Sequence, residues 1–579
     1  MVNVKNLFGM AVMATALVAC SSSDDLTPNG NEGNQTGAAY AKFTIQLPTV
    51  SGTRVVDPNT GAEFDGGTAN EYAVNDAQLV IFEKTGASDG EGDYKFVETV
   101  KIGNLEPWNN QTPANQGVTR YANITAQLKG VSLDGTGNKY FALIILNNGS
   151  ESKVTLPTAG MTYSAWNVAN NAKSAADFLK STNGFYMANA PKYVEGGEPT
   201  TLVPIKGVYS TKAEAQNKPA TTVYVERGMA KVTIGSSTFD AEKPVTTSTN
   251  YAGDKVTITN WTLDVLNKTT FPVHKTDGLK TIWNQTWASR FFDNTSTEFK
   301  RVYWGVDPNY SGSALSDITA CKGQFYLVDP SGSSYNDNTQ TFTWSTKDKP
   351  LYCLENTFDI NNMKQGQTTR VVFKATYTPA AVASETDKTF FMIGNNPKIW
   401  TKANLEQQIA NKAKELLNTA GTVTATISGD LLKGGSHVLT TGNVTIKEGT
   451  VAKNDDITFA ALNTKLGLDN TDGIKTYENG VCYYIARIKH FNELTPWVSG
   501  DPTYKNTTLS EAQSNEKYLG RYGVLRNNWY DLTVSKVSAP GYPDVPEVNP
   551  TDPDDEDTKF INVEVKILDW AKRSQSIDL

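Results

Sequence analysis

The sequence predicts a mainly β protein of two β-sandwich domains, with helical and loop insertions and a C-terminal strand on a linker. Two observations predict this fold class. Short apolar segments recur between turns rich in Gly, Asn and Pro, while few segments have helical spacing. The chain is also long enough for two domains. Many strands with few helices are typical of sandwich packing.

The first twenty residues have the form of a lipoprotein signal peptide. Leu7 to Val18 is apolar but too short for a permanent membrane span, and it leads into the lipobox Leu17-Val18-Ala19-Cys20. Acyl chains on Cys20 would tether the protein to a membrane without a transmembrane helix. The alternative is an ordinary signal peptide that ends near a cysteine. The polar, acidic stretch Ser21 to Asp25 favours the lipobox.

The N-terminal domain is predicted over residues 40–228, after a flexible tether at residues 21–39. Its first strand, Ala41 to Leu47, alternates apolar and polar residues and should therefore be half-buried. Further strands are expected at Ala77 to Glu83, Tyr94 to Ile102, Tyr121 to Lys129 and Tyr140 to Leu146. The last is continuously apolar, as expected for a central strand covered on both faces. Residues 164–180 have helical spacing.

The second domain is predicted over residues 229–539 and has the same pattern of short strands separated by turns. Its strands are expected at Lys231 to Ile234, Lys255 to Leu266, Gln324 to Val328, Thr341 to Trp344, Arg370 to Thr376, Phe390 to Ile393, Cys482 to Phe491 and Trp529 to Val537. One helix is predicted from the spacing of Leu405, Ile409, Ala413 and Leu416. The polar stretches 283–318 and 492–520 are interpreted as surface loops.

The C-terminus holds an isolated strand beyond an acidic, Pro-rich linker. The linker, residues 540–558, is interpreted as an extended spacer that cannot form a core. In the final segment, residues 559–579, four apolar residues alternate with polar ones: Ile561, Val563, Val565 and Ile567. A strand without backbone partners must pair with something.

Charge and motif content argue against nucleic-acid binding and catalysis. The formal net charge is −8, and no Lys/Arg cluster offers a phosphate-binding face. His274, His437 and His490 lack metal-ligand spacing and are interpreted as surface or loop residues. No nucleophile or phosphate-loop motif occurs, so we predict no enzyme, no metal and no cofactor. Paired carboxylates for glycoside hydrolysis stay open, because they meet only in the fold.

The remaining cysteines and the tryptophans favour packing roles. Cys353 and Cys482 lie in apolar runs, which predicts buried thiols, and one disulfide among these two and Cys321 is the alternative. Eleven tryptophans leave room for sugar stacking, but most fall in strand or helix patterns, where core packing is the favoured role.

Four stretches together resemble the fimbrillin family of Bacteroidetes, the subunits of type V pili, in particular its minor-fimbrium branch. Each stretch alone is a plain strand pattern, and their order and spacing carry the resemblance. They are FALIILNN at Phe141 to Asn148, VYVERGMAKVTI at Val223 to Ile234, LYCLENTF at Leu351 to Phe358 with TTRVVFKATY at Thr368 to Tyr377, and YGVLRNNWYDLTVSKV at Tyr522 to Val537 with VKILDWAKRSQSIDL at Val565 to Leu579.

The resemblance implies two transthyretin-like sandwiches and an assembly route. Subunits of the family reach the cell surface as outer-membrane lipoproteins, and an arginine-specific protease removes the first strand. The groove then accepts a strand from a neighbouring subunit, commonly its C-terminal one. Here the cut would fall between Arg54 and Val55, because Arg54 is the only arginine before Arg120. The donor would be the strand that carries Ile561 to Ile567. Its partners would be other fimbrial subunits.

Two alternatives to a fimbrial subunit remain from the sequence. One is a surface glycan-binding lipoprotein built of β-sandwiches, and the other is a surface hydrolase. A binding module needs neither a spare C-terminal strand nor an arginine between its first strand and the rest.

Overall fold

The computed structural model shows a mainly β protein, as the sequence predicts. It describes residues 39–46, 68, 71, 73–86, 90–103, 105, 121–133, 139–149, 153–169, 178–179, 184–195, 199–239, 242–245, 249–277, 291–292, 299–310, 315–330, 342–357, 362–468, 472–491, 519–554, 561–568 and 573–575. For 561–568 and 573–575 only the backbone is described. Within these ranges no helix is long and apolar enough to cross a membrane.

The N-terminal part forms one eight-stranded sheet whose two ends share an apolar core. Its order is β3-β2-β5-β6-β8-β1-β4, and β7 pairs with β5. The strands are β1 (Ala39–Gln46), β2 (Ala77–Lys84), β3 (Tyr94–Gly103), β4 (Tyr121–Leu128), β5 (Tyr140–Leu146), β6 (Met187–Asn189), β7 (Val203–Pro204) and β8 (Thr221–Arg227). Two helices accompany them, α1 (Tyr163–Ala169) and α2 (Lys212–Gln216).

Strand β5 is covered on both faces, as its continuous apolar sequence predicts. All seven residues are buried. Alternate residues enter different cores: Ile144 and Leu146 lie in the N-terminal core, while Leu143 and Ile145 join a cluster that continues into the second half of the chain. The two halves therefore share apolar packing through β5.

The second half is a sandwich of two sheets around that continuing cluster. The first sheet has the order β14-β9-β24-β25-β26, and the second has the order β10-β11-β15-β23. These strands are β9 (Ala230–Ile234), β10 (Lys243–Pro244), β11 (Lys255–Asp264), β14 (Leu351–Cys353), β15 (Arg370–Thr378), β23 (Val481–Arg487), β24 (Trp529–Val537), β25 (Ile561–Leu568) and β26 (Arg573–Gln575). A further pair is β12 (Leu266–Asn267) with β13 (Phe325–Tyr326), next to helix α3 (Ile318–Gln324).

Residues 390–477 form an inserted module with a core of its own, which the sequence analysis treated as part of the sandwich. It lies between β15 and β23, which are hydrogen-bonded neighbours, so the chain leaves and re-enters the sandwich at one place. Its elements are β16 (Phe390–Ile393), β17 (Ile399–Trp400), α4 (Lys402–Leu417), β18 (Val423–Ile427), β19 (Gly435–His437), β20 (Val444–Glu448), β21 (Val451–Ala452), α5 (Phe459–Leu466) and β22 (Ile474–Tyr477).

The helix predicted from apolar spacing is α4, and that prediction is confirmed. Leu405, Ile409 and Ala413 are buried on one face in the module's core. The Thr401 side chain accepts a hydrogen bond from the Asn404 N–H, and Asn418 ends the helix in the left-handed conformation.

Several local expectations are wrong. Residues 342–344 form no strand, and Ser345 makes only an isolated bridge to Trp261. The 283–318 segment is not merely a surface loop, because Phe291 and Trp304 are buried in a cluster with Phe491. Polar composition concealed these apolar anchors. Within 492–520, only the last two residues are described, and Leu519 is buried in the same cluster.

The linker is also packed, contrary to the spacer interpretation. Val545 and Val548 are buried, and Tyr542 exchanges two backbone hydrogen bonds with Tyr483 at 2.8 and 2.7 Å. The Arg370 guanidinium donates to the Pro546 carbonyl at 2.6 Å. Prolines prevented regular pairing of this segment, but its few apolar residues suffice to hold it on the sandwich.

Cys321, Cys353 and Cys482 are free and buried, which confirms the thiol interpretation. Burial raises the pKa of Cys321 to about 11 and the pKa of both Cys353 and Cys482 to about 12. Two of the three histidines contradict the surface interpretation, because His274 and His490 are buried.

Candidate strand-exchange site

Strand β1 fills a slot in the N-terminal sheet between two strands that run in opposite directions. Against β4 it pairs antiparallel over its whole length, from Ala39 opposite Leu128 to Gln46 opposite Tyr121. Against β8 it pairs parallel, with Phe43 opposite Thr221. Among the described strands, β4 has no ladder partner except β1. Loss of β1 would therefore leave β4 as a detached edge.

One face of β1 carries a row of apolar side chains that fill the slot. Ala39, Ala41, Phe43 and Ile45 are each 0% exposed and lie in the N-terminal core. Burying the Phe43 and Ile45 side chains contributes about 1.5–3 kcal/mol each. Removing β1 would expose the apolar residues beneath it and free the backbone groups of both neighbours.

Polar contacts hold the outer face of β1 in place. Tyr40 exchanges backbone hydrogen bonds with Tyr209 at 2.8 Å in each direction. The Lys42 ammonium donates to the Gln216 carbonyl at the end of α2, at 3.0 Å. The Thr44 hydroxyl donates to Asn123 Oδ1 on β4 at 2.7 Å. These contacts are individually weak, so the ladder and the apolar burial provide most of the binding.

The C-terminal strand β25 pairs with this chain's own sandwich. It runs antiparallel to β24, from Ile561 opposite Val537 to Leu568 opposite Trp529, with an irregularity between Val534 and Lys536. The four alternating apolar positions stand in register with buried residues of β24: Ile561 with Val537, Val563 with Val534, Val565 with Leu532, and Ile567 with Tyr530. Strand β26 pairs with the far edge of β25.

A buried ionic cluster joins the N-terminal sheet to the sandwich. We call Glu226, His274, Arg301, Glu355 and Arg526 the junction cluster. Glu226 lies on β8 of the N-terminal sheet, and the other four residues belong to the second half of the chain. All five are at most 4% exposed.

Each carboxylate of the junction cluster has an arginine partner. Arg301 Nη2 donates to Glu226 Oε2 at 2.8 Å, and Arg526 Nε donates to Glu355 Oε2 at 2.9 Å. The imidazole of His274 lies between the two carboxylates: its Nδ1 is 3.0 Å from Glu226 Oε1, and its Nε2 is 3.9 Å from Glu355 Oε2. Burial alone raises the pKa of Glu226, but Arg301 and His274 outweigh burial and lower it.

A second buried pair crosses the same junction. The Lys231 ammonium on β9 lies 2.7 Å from Glu71 Oε1, and the Tyr352 hydroxyl donates to the same oxygen at 2.5 Å. Beside it, Arg227 Nη1 donates to Asn527 Oδ1 at 3.2 Å. The ion pair of Lys231 with Glu71 and the hydrogen bonds of Arg227 offset the cost of burying these charged groups.

Among the described residues there is no group of metal ligands, and no tryptophan side chain is exposed. No group of three or more His, Cys, Asp or Glu residues is arranged to hold a metal ion within them. Trp166 and Trp261 are buried, as their helix and strand patterns predict, and Trp304 of the predicted loop 283–318 is buried as well. Two half-buried tryptophans are covered by ammonium groups: Lys398 Nζ is 3.9 Å from the Trp400 ring centre, and Lys231 Nζ is 3.7 Å from that of Trp529.

Residues 475–576 match the family model for the C-terminal region of fimbrillin, the major fimbrial subunit protein type IV. Over these residues the chain is similar to the C-terminal region of fimbrillins. The matched region holds the end of the inserted module, β23, β24, the packed linker and β25 with β26. It therefore contains the C-terminal strand that the sequence analysis singled out. The minor-fimbrium branch stays a prediction.

Several solved structures are similar to this chain at low sequence identity. A candidate cell adhesion protein from Parabacteroides distasonis ATCC 8503 is 10% identical, with 93% of this chain and 99% of that chain covered and a TM-score of 0.37. A fimbrilin from Porphyromonas gingivalis W83 is 9% identical, with 91% and 96% covered and a TM-score of 0.36. No curated protein matches this chain.

The structure places only part of the predicted site. Cys20, Arg54 and Val55 lie outside the described residues, while Ile561, Val563, Val565 and Ile567 lie on β25. The junction cluster was not predicted, although its signal is present in the sequence. Glu226, Glu355 and Arg526 interrupt the apolar runs VYVERGM, LYCLENTF and YGVLRNNWY, and a charge in such a run needs a buried partner.

Proposed function

We propose that this chain is a structural subunit of a cell-surface fimbrium that supports adhesion. It is exported as an outer-membrane lipoprotein on Cys20 and cut between Arg54 and Val55 by an arginine-specific surface protease. It then polymerises with other fimbrial subunits by strand exchange. The chain performs no catalysis and takes no cofactor in this role. The match of residues 475–576 to the C-terminal region of fimbrillin, a fimbrial subunit protein, supports the proposal.

The position of β1 is the observation that carries the proposal. A cut after Arg54 would sever the covalent link between β1 and the body of the subunit. From then on β1 would be held only by its ladders to β4 and β8 and by its buried apolar face. A strand from another subunit that runs parallel to β8 and presents apolar residues at every second position would fit the vacated slot.

The C-terminal strand is the donor in this proposal. Its apolar residues at positions 561, 563, 565 and 567 repeat the alternation of Ala39, Ala41, Phe43 and Ile45. In the isolated chain it pairs with β24, so donation requires exchange of that ladder for a new one in the neighbour's slot. The two ladders are of similar length, which makes the exchange feasible without a large net change in backbone hydrogen bonding.

The N-terminal sequence of the protein recovered from the cell surface tests the proposal. We expect polymerised subunits to begin at Val55 and the Arg54→Lys variant to remain as lipidated monomer. The conservative lysine retains the charge but not the side chain that an arginine-specific protease recognises. Polymers whose subunits all still start at acylated Cys20 would refute the maturation step, and the absence of polymers from wild-type cells would refute the fimbrial role.

A further inference from the structure

Among the described side chains, every arginine is buried, whereas most lysines reach solvent. The sequence contains ten arginines, at positions 54, 120, 227, 290, 301, 370, 487, 521, 526 and 573. The structure describes the side chains of six, Arg227, Arg301, Arg370, Arg487, Arg521 and Arg526, and all are at most 4% exposed. Among the lysines with described side chains, three are buried, Lys153, Lys231 and Lys489, and the rest reach solvent.

The buried arginines are held by directed hydrogen bonds. Arg370 Nε donates to Asp264 Oδ2 at 2.8 Å, Arg301 is bound to Glu226, and Arg526 is bound to Glu355. The planar guanidinium suits such pairs, which explains why arginine occurs inside. It does not explain why lysine alone supplies the exposed cations among the described residues.

We propose that this partition makes the folded subunit refractory to arginine-directed cleavage, and the proposal rests on the maturation step proposed above. A protease must take the arginine side chain into its specificity pocket and an extended stretch of backbone into its cleft. At the six positions this requires local unfolding, and at Arg301, Arg370 and Arg526 it also requires the rupture of buried ion pairs. The exposed lysines are accessible to a protease, but an arginine-specific protease does not cleave after lysine. At these six positions the subunit therefore resists the protease that matures it.

Two exposed lysines on turns provide the test. Lys347 lies in a turn before Asp348, and Lys433 follows a 3₁₀ turn before Gly434, with a side chain that is 71% exposed. Each Lys→Arg substitution keeps the charge and creates an arginine on the surface. Lys347→Gln and Lys433→Gln are matched controls that remove the charge without creating a site.

The purified folded chain, residues 21–579, is digested with an arginine-specific endoprotease, and the fragments are mapped by mass spectrometry. We expect no cut after the six buried arginines in the native protein, cuts after all six in denaturant, and at least a tenfold faster cut at position 347 or 433 in the Lys→Arg variants. The Gln variants should resist cutting there. A lysine-specific endoprotease should cut the native wild-type chain after Lys347 or Lys433.

Native cleavage after any of the six arginines would overturn the proposal. So would resistance of both new arginines, because rigidity of the backbone would then account for the protection. The proposed maturation is judged separately, by whether wild-type protein is cut after Arg54, and an Arg54→Gln background leaves the readout at the other positions unchanged.

Discussion

The guanidinium of Arg301 and the carboxylate of Glu226 form an ion pair across the junction between the N-terminal sheet and the sandwich. Two nitrogens of Arg301 donate to one oxygen of Glu226, at 3.1 and 2.8 Å, and His274 contacts the other oxygen. Glu226 is 2% exposed and Arg301 is 4% exposed, so neither charge is solvated by water. A substitution of either residue should therefore affect how the two halves pack against each other.

Replacing Arg301 with leucine should destabilise the protein by about 3–5 kcal/mol, because it leaves Glu226 buried without its strongest partner. Chemical unfolding followed by fluorescence measures the change. Lys300→Leu is the matched control: its ammonium lies 3.9 Å from Glu195, whose side chain is 88% exposed, and such pairs contribute at most about 1 kcal/mol. Equal effects of the two substitutions would contradict the role assigned to the junction.

Acid should weaken the junction through Glu226. Its pKa is lowered in the folded state, so its contribution is fully present above the unfolded value and is lost as the pH falls through the folded pKa. We expect the free energy of unfolding to decline below about pH 4.5, and the decline to be shallower in Glu226→Gln. Chemical unfolding at several pH values measures how the free energy of unfolding changes with pH in both proteins. Equal changes would show that Glu226 does not cause the decline.

Substitution of Phe43 by alanine should loosen β1 in its slot. The side chain is 0% exposed in the N-terminal core, and truncation of buried phenylalanine costs about 3–5 kcal/mol. Lys42→Ala, on the other face of the same strand, should cost about 1 kcal/mol or less. Hydrogen exchange of the β4 amides measures the effect locally. Unchanged protection in Phe43→Ala would show that β1 does not depend on this anchor.

The double substitution Val563→Asp with Val565→Asp should abolish polymer ladders and leave a folded, exported monomer, since buried unpaired carboxylates are too costly for a neighbour's groove. The control is Asn562→Asp, which adds a negative charge at one of the polar positions that alternate with the apolar ones. Because β25 pairs with β24 in the isolated chain, monomer melting must be measured alongside the ladders. A lowered melting temperature with little secreted monomer would instead identify β25 as a strand that completes its own sandwich.

The three described cysteines should be unreactive in the native protein. Burial raises the pKa of the Cys353 and Cys482 thiols to about 12, so almost no thiolate forms at pH 8. In a chain that begins at Ser21, a thiol reagent should label no cysteine before unfolding and three after it. Rapid labelling of native protein would show that one of these strands opens readily.

The sequence by itself determined the strands and helices whose pattern is local. Strict alternation identified β1 and β25, continuous apolar residues identified β5 as central, and helical spacing identified α4. These patterns follow from the geometry of a single segment, in which side chains alternate across a strand or recur along one face of a helix. The order of such patterns also carried the resemblance to fimbrillins, and the last of the four stretches lies almost entirely within residues 475–576, which match the fimbrillin C-terminal region.

Only the tertiary structure decided which segments meet. Glu226 and Arg301 are 75 residues apart, and Arg227 reaches Asn527 over 300 residues, distances over which no local pattern acts. The packing of the Pro-rich linker, the separate core of residues 390–477 and the pairing of β25 with β24 likewise depend on surfaces that other segments supply. Burial and partner choice are properties of the assembled chain, because each depends on which remote residues exclude water from the site.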